Sequence, residues 1–202
     1  MSANEEPLDS NTIRLGVDIA SDGGDEFVIA RADGYKVSIV HRSSGKQNAN
    51  AVDVAGGVMR EIEACIKIHQ ERELRERVRV KVDTIGLGWG VVSLLDRWVK
   101  ERQLSADIIG VNVAEKSLGL DASGRLRFAN LRSELWWRAR EALDPAANTG
   151  IAIPPDPRLR ADLCAPTWAL QGPSIKVESR DEIVDRIGRS PDFASAFCLA
   201  LI

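Results

Sequence analysis

Residues 78–92, VRVKVDTIGLGWGVV, carry a β-branched run that ends on an aspartate and passes through a glycine ladder into an apolar helix. Val78, Val80 and Val82 alternate with Arg79 and Lys81, the period-two pattern of a strand with one buried face. Gly86, Gly88 and Gly90 break that pattern, and Val91, Val92, Leu94, Leu95, Trp98 and Val99 then recur at helical spacing. A strand, a tight turn and a helix in this order require an α/β layer arrangement and put the carboxylate of Asp83 at a strand tip. A dinucleotide site does not fit, because the glycines run G-x-G-x-G instead of G-x-G-x-x-G. The nearby acid, Asp107, also starts the next apolar strand where the fingerprint needs one at its end.

The 202 residues can bury one good core, and 28% charged with 44% apolar residues is ordinary for a globular domain. No apolar run approaches the roughly twenty residues that cross a bilayer, and the acidic start MSANEEPLDSN lacks the basic and apolar parts of a signal peptide. Cys65, Cys164 and Cys198 are odd in number and sit in apolar helical patterns, which predicts reduced core thiols. His41 and His69 are the only histidines, so histidine zinc sites and Ser-His-Asp triads are disfavoured and carboxylate chemistry remains. The net charge of -3 neither advertises nor excludes nucleic-acid binding.

Along the chain, residues 1–11 read as a mobile leader or linker end, and 12–202 as one domain. Strands are expected at 13–19 (ending near Asp18), 26–32 and 35–41, the last two joined by the turn at Asp33-Gly34. A helix follows over about 50–75, then the opening unit, then a short strand at 108–113. Asp121 to Gly124 (DASG) reads as a hairpin tip, and 130–143 as a helix with Asn130 at its N-cap. Residues 151–157 are a proline-stiffened connector, 158–170 a helix, 174–178 a strand, 180–187 a helix. A final apolar helix spans 191–202, with Pro191 in its first turn.

A helical crossover between the strand ending at Asp18 and that ending at Asp83 makes the two parallel, so both aspartates reach one edge of the sheet. Asp192, at the start of the last helix, can be delivered there by packing. Three converging carboxylates repel one another, and a hard cation with oxygen ligands, Mg²⁺ or Mn²⁺, resolves the repulsion. Two such ions about 4 Å apart can activate a water and stabilise a leaving oxygen in phosphodiester hydrolysis. Each aspartate also has a plainer role available, as a turn former or as a partner of a helix N-terminus.

The segments N-L-R-S-E-L-W-W at 130–137, I-P-P-D-P-R-L at 153–159 and E-S-R-D-E-I-V-D-R-I-G-R-S-P-D at 178–192 resemble the nuclease domain of the large terminase subunit of tailed bacteriophages. G-V-D-I-A at 16–20, G-G-D-E at 23–26 and V-D-T-I-G-L-G-W-G-V at 82–91 resemble its first two acidic motifs, and the likeness runs through nearly the whole chain from Ile13. The resemblance implies an RNase H-like fold: a central mixed sheet, with an antiparallel three-strand meander plus parallel strands, flanked by helices. It implies a metal-dependent endonuclease that cuts concatemeric double-stranded DNA around packaging, with Asp18, Asp83 and Asp192 as catalytic metal ligands. Asp25 matches a further acidic position, as an accessory ligand or a group behind the ligands. Where the family often has a second aspartate three residues after S-P-D, this chain has Ser195.

The full subunit of that family carries an N-terminal ATPase, whereas this chain has no G-x-x-x-x-G-K-[ST] segment. The resemblance therefore implies a nuclease domain, monomeric when isolated, that works in the cytoplasm of an infected bacterium with an ATPase domain, a portal and a small terminase subunit as partners. Lys116, Arg132, Lys176, Arg186 and Arg189 lie in or beside the matching motifs and are the candidate phosphate contacts, with the ordinary surface-charge role as the alternative. Trp136 and Trp137 read as core residues and the histidines as non-catalytic. A junction resolvase or transposase-type nuclease of the same fold, and a weakly active docking module for a portal or regulatory subunit, are the rival readings.

Overall fold

The computed structural model describes residues 12–19, 26–44 and 50–201. The expected leader at 1–11 and the turn that contains Asp25 lie outside the described residues. The chain runs β1 (Ile13–Asp18), β2 (Glu26–Asp33), β3 (Lys36–Ser44), α1 (Ala51–Glu71), β4 (Val78–Asp83), α2 (Gly88–Glu101), β5 (Ala106–Val111), β6 (Arg127–Phe128), α3 (Leu131–Leu143), α4 (Pro157–Leu163), β7 (Trp168–Gln171), β8 (Ser174–Val177), α5 (Arg180–Ile187) and α6 (Asp192–Leu201). A five-stranded sheet has the order β3-β2-β1-β4-β5, and a small sheet the order β6-β8-β7. β1 to β3 form the antiparallel meander, while β4 joins β1, and β5 joins β4, in parallel. This is the mixed sheet expected from the sequence, an RNase H-like α/β arrangement.

Strand alternation divides the core into two layers. Leu15, Val17, Phe27, Ile29, Val80 and Val82 pack under α1 and α2. Val28, Ala30 and Ala32 face the other way, against Phe193, Phe197 and Leu201 of α6 and Trp136 and Trp137 of α3. Both tryptophans are buried, as expected for core residues. Asn50 caps α1 by accepting from the backbone N–H of Val52 and Asp53. His69 ties α1 to β1: Nε2 accepts from Ile13 N–H (3.1 Å) and Nδ1 donates to Glu76 O (2.9 Å), a pairing that also sets its tautomer.

Four local expectations are corrected. The helix expected over 158–170 stops at Leu163, and its second half is strand β7, because Pro166 cannot continue a helix. The hairpin around Gly124 shrinks to a single bridge between Leu120 and Arg127, and β6 instead pairs in parallel with β8. Pro191 stands before the first turn of α6, where its carbonyl accepts from Ser195 N–H (3.0 Å). Of the three thiols, Cys65 and Cys198 are buried but Cys164 is exposed at the end of α4.

Candidate acidic site

The parallel register of β1 and β4 pairs Gly16 with Lys81 and Val17 with Val82. One step further, Asp18 and Asp83 end neighbouring strands, about 4.8 Å apart in a sheet, with side chains on the face opposite Val17 and Val82. α6 covers that face. A Cβ on Gly16 would lie 2.1 Å from Ala196 O and 2.2 Å from Ala200 N, so the helix backbone rests directly on β1. Asp192 lies one turn before Ala196 on the same stripe, and it is buried. Its Oδ2 accepts from Glu26 N–H at 2.8 Å, at the start of β2.

Glycine acts again beside Asp83. Gly86 has φ 64°, and a Cβ on Gly88 would meet Asp83 O at 1.9 Å. The first turn of α2 therefore sits on the backbone of the strand end, while Asp83 accepts from Ile85 N–H through Oδ1 (3.0 Å). Ile85 and Trp89 of this turn are exposed.

Electrostatics bind the three carboxylates into one centre. Burial pushes the Asp18 carboxyl well above the usual carboxylate range, and the negative charges of Asp192 and Asp83 push it further. Asp83 is also raised, mainly by burial. Arg132 and Arg180 oppose the shift at Asp18. Among the described residues, no three acidic, imidazole or thiol groups are drawn tightly enough together to form a ready-made metal cage. The donor set nonetheless fits a hard divalent cation in kind, being all carboxylate and under mutual repulsion, with Asp18 and Asp83 partly accessible. Asp18, Asp83 and Asp192 would be the groups to hold it.

α6 is held in place by a charge network the sequence did not disclose. Asp162 of α4 is fully buried. It accepts from Phe193 N–H (3.2 Å) and pairs with Arg158 (3.2 Å) and Arg189. Arg158 also pairs with Glu26 (3.1 Å) and stacks over Phe193, with 5.3 Å to the ring centroid. Glu134, in the first turn of α3, is completely buried, with Ser117 donating to it at 2.5 Å. Gly119 packs against that carboxylate, since a Cβ there would lie 2.3 Å from Oε1. Glu134 thereby fastens the loop after β5 to α3.

The candidate phosphate contacts separate by position. Lys116 is exposed and lines a groove of about 750 Å³ together with Leu118, Leu120, Arg127, Phe128 and Pro173. Lys176 is half-buried on β8. Arg186 is engaged with Glu178 (2.6 Å), whose carboxyl it pulls down to about 2, and Arg189 is engaged with Asp162. Arg132 lines a small cavity together with Asp83.

No protein-family model matches the chain, and no curated protein does. Solved structures do. The nuclease domain of the large terminase subunit gp2 of bacterial virus Sf6 superposes with a TM-score of 0.62 at 14% identity, covering 94% of this chain and 87% of that one. A mutant of the same domain with manganese and β-thujaplicinol gives the same TM-score, identity and coverage. The large terminase nuclease from thermophilic phage G20c, with bound cobalt, gives a TM-score of 0.52 at 15% identity, covering 94% and 80%. The chain thus has the fold of the phage large terminase nuclease domains, as the sequence motifs led us to expect.

Proposed function

We propose that this chain is a metal-dependent DNA endonuclease domain of the terminase type, which cuts concatemeric double-stranded DNA with little sequence preference of its own. The observation that carries the proposal is the meeting of Asp18 and Asp83 at adjacent parallel strand ends, with Asp192 brought over them by a helix that Gly16 lets approach. The manganese and cobalt found with relatives of the same fold support a divalent cofactor, Mg²⁺ or Mn²⁺.

In this reading Asp18, Asp83 and Asp192 would hold two ions, which when bound would supply an activated water and charge stabilisation for the leaving oxygen. The protein's own contribution is placement. The sheet fixes the spacing of Asp18 and Asp83, the Asp162 network fixes the start of α6, and the Glu26 N–H orients Asp192. Lys116, with Arg127 beside it in the groove, supplies cations for the DNA backbone, a contact that carries no sequence information. Asp25 remains a proposed accessory ligand. An ATPase domain, a portal and a small terminase subunit are the partners such a domain would serve.

The test is digestion of supercoiled plasmid in Mn²⁺, Mg²⁺ or EDTA. The parent should nick and linearise DNA only with a divalent ion. Asp18→Ala or Asp83→Ala should lower the rate at least about 100-fold, since each removes a ligand on which water activation depends. Folded parent protein that cleaves neither linear, supercoiled nor branched DNA with any ion would refute the proposal. Cleavage confined to branched DNA would favour a junction-resolving nuclease.

A further inference from the structure

We infer that Arg132 is a positioning residue of the acidic centre, a built-in counter-cation that holds Asp18 and Asp83 in place in the ion-free protein and yields their charge to the incoming metal. The inference rests on the metal-dependent reading above.

Arg132 is fixed along one side. Its backbone N–H donates to Val113 O (2.8 Å), in the loop after β5. Its Nε donates to Glu178 O (3.1 Å), and its guanidinium lies 5.4 Å from the centroid of Trp136. The other side is not fixed. Nη2 is buried with no hydrogen-bond partner, at a cavity of about 20 Å³ that Arg132 lines with Asp83, Ser195 and Cys198. That volume admits about one water. A buried guanidinium nitrogen that no protein group answers costs free energy unless a water or a nearby anion answers it.

The surroundings show where the need arises. Asp83 lines the same cavity as Arg132, and Asp18 ends the strand paired with that of Asp83. α6 offers Ser195 and Cys198 to the cavity, neither of them cationic. Without a metal, the carboxylates have Arg132 as their shared counter-charge. A fixed cation beside an ion site has two opposite effects: it stabilises the ion-free carboxylates, and it competes with the ion for them.

Two measurements on the intact chain separate this from a purely structural role. The first is thermal melting in EDTA, and the second is calorimetric titration with Mn²⁺ alone. Arg132→Gln keeps a donor toward Glu178 and removes the charge, whereas Arg132→Lys keeps the charge. The glutamine variant should melt lower than the parent in EDTA yet bind Mn²⁺ about 10-fold more tightly, within the usual span of site-to-site coupling. The lysine variant should restore the parental affinity. A glutamine variant that binds Mn²⁺ with parental or weaker affinity overturns the inference while leaving the nuclease reading intact. A parent that binds no Mn²⁺ overturns both. Should the glutamine variant not fold, Arg132→Lys still decides: Mn²⁺ affinity changed several-fold despite the retained charge counts against a charge role.

Discussion

Gly16 is where the acidic centre depends on a missing atom. With Ala196 O and Ala200 N only 2.1 and 2.2 Å from any Cβ, both contacts are helix backbone that cannot rotate aside. Gly16→Ala should therefore cost about 3 kcal/mol or more, the upper range for overpacking, measured by urea denaturation. Activity should fall further than stability, because the helix that is pushed off carries Asp192. One step across the register stands Lys81, half-buried, whose ammonium is held down to about 8 by burial and by the charges of Arg14 and Arg79. Its folded value lies below the unfolded one near 10.4, so between about pH 8 and 10.5 the unfolded chain binds more protons and stability rises with pH. Below pH 8 the full cost is present. Lys81→Met should melt higher than the parent at pH 7, and the difference should shrink as a melting series climbs through pH 10. The alternation of residues 78–83 made the buried valines legible, but it marked Lys81 as a solvent residue. A helix more than a hundred residues away, α6, packs against β4, and no local pattern reports that.

Among the elements, α6 matters most to the site and was the easiest to anticipate, since PDFASAFCLALI is apolar on every side, as a helix in the core must be. Its anchorage was hidden. Asp162 follows Arg158 by four residues, but its link to Arg189 spans 27 residues, which no local pattern shows. Asp162→Asn should lower stability by about 2–3 kcal/mol in chemical denaturation, because it leaves two arginines and the Phe193 N–H around a neutral group where a buried anion stood. A control at Glu63, whose ion pair with Arg102 is exposed on both sides, should change stability by less than about 1 kcal/mol. The elements misread from sequence fail for related reasons. β7 is exposed at every residue, so it has no alternation to detect. β6 is two residues long and owes its strand character to β8, nearly fifty residues later. Glu134 could be placed in the first turn of α3 from sequence, but its burial depends on Ser117 and Gly119 folding over it.

At the scale of the whole molecule, the sheet order β3-β2-β1-β4-β5 puts the seam between antiparallel and parallel pairing at β1. There the strand order also reverses direction, and ligands of open sheets gather beside such points. The crossover from the meander to β4 fixed in advance that Asp18 and Asp83 share an edge of the sheet, because a helix between strands of one sheet makes them parallel. Among the described residues no helix is long and apolar enough to cross a membrane, in keeping with the apolar spans read from sequence.

The arrangement also has a consequence in time. Asp18 and Asp83 can be set side by side once β4 has been made, but Asp192 arrives with α6, and chains are synthesised from the N-terminus at about 5–20 residues per second. For several seconds of its synthesis, the growing chain holds two of the three carboxylates and has no helix to complete them. A nascent or truncated copy that ends before α6 therefore carries an unfinished centre. Under the proposed nuclease reading, full assembly of the fold becomes the condition for cutting nearby DNA.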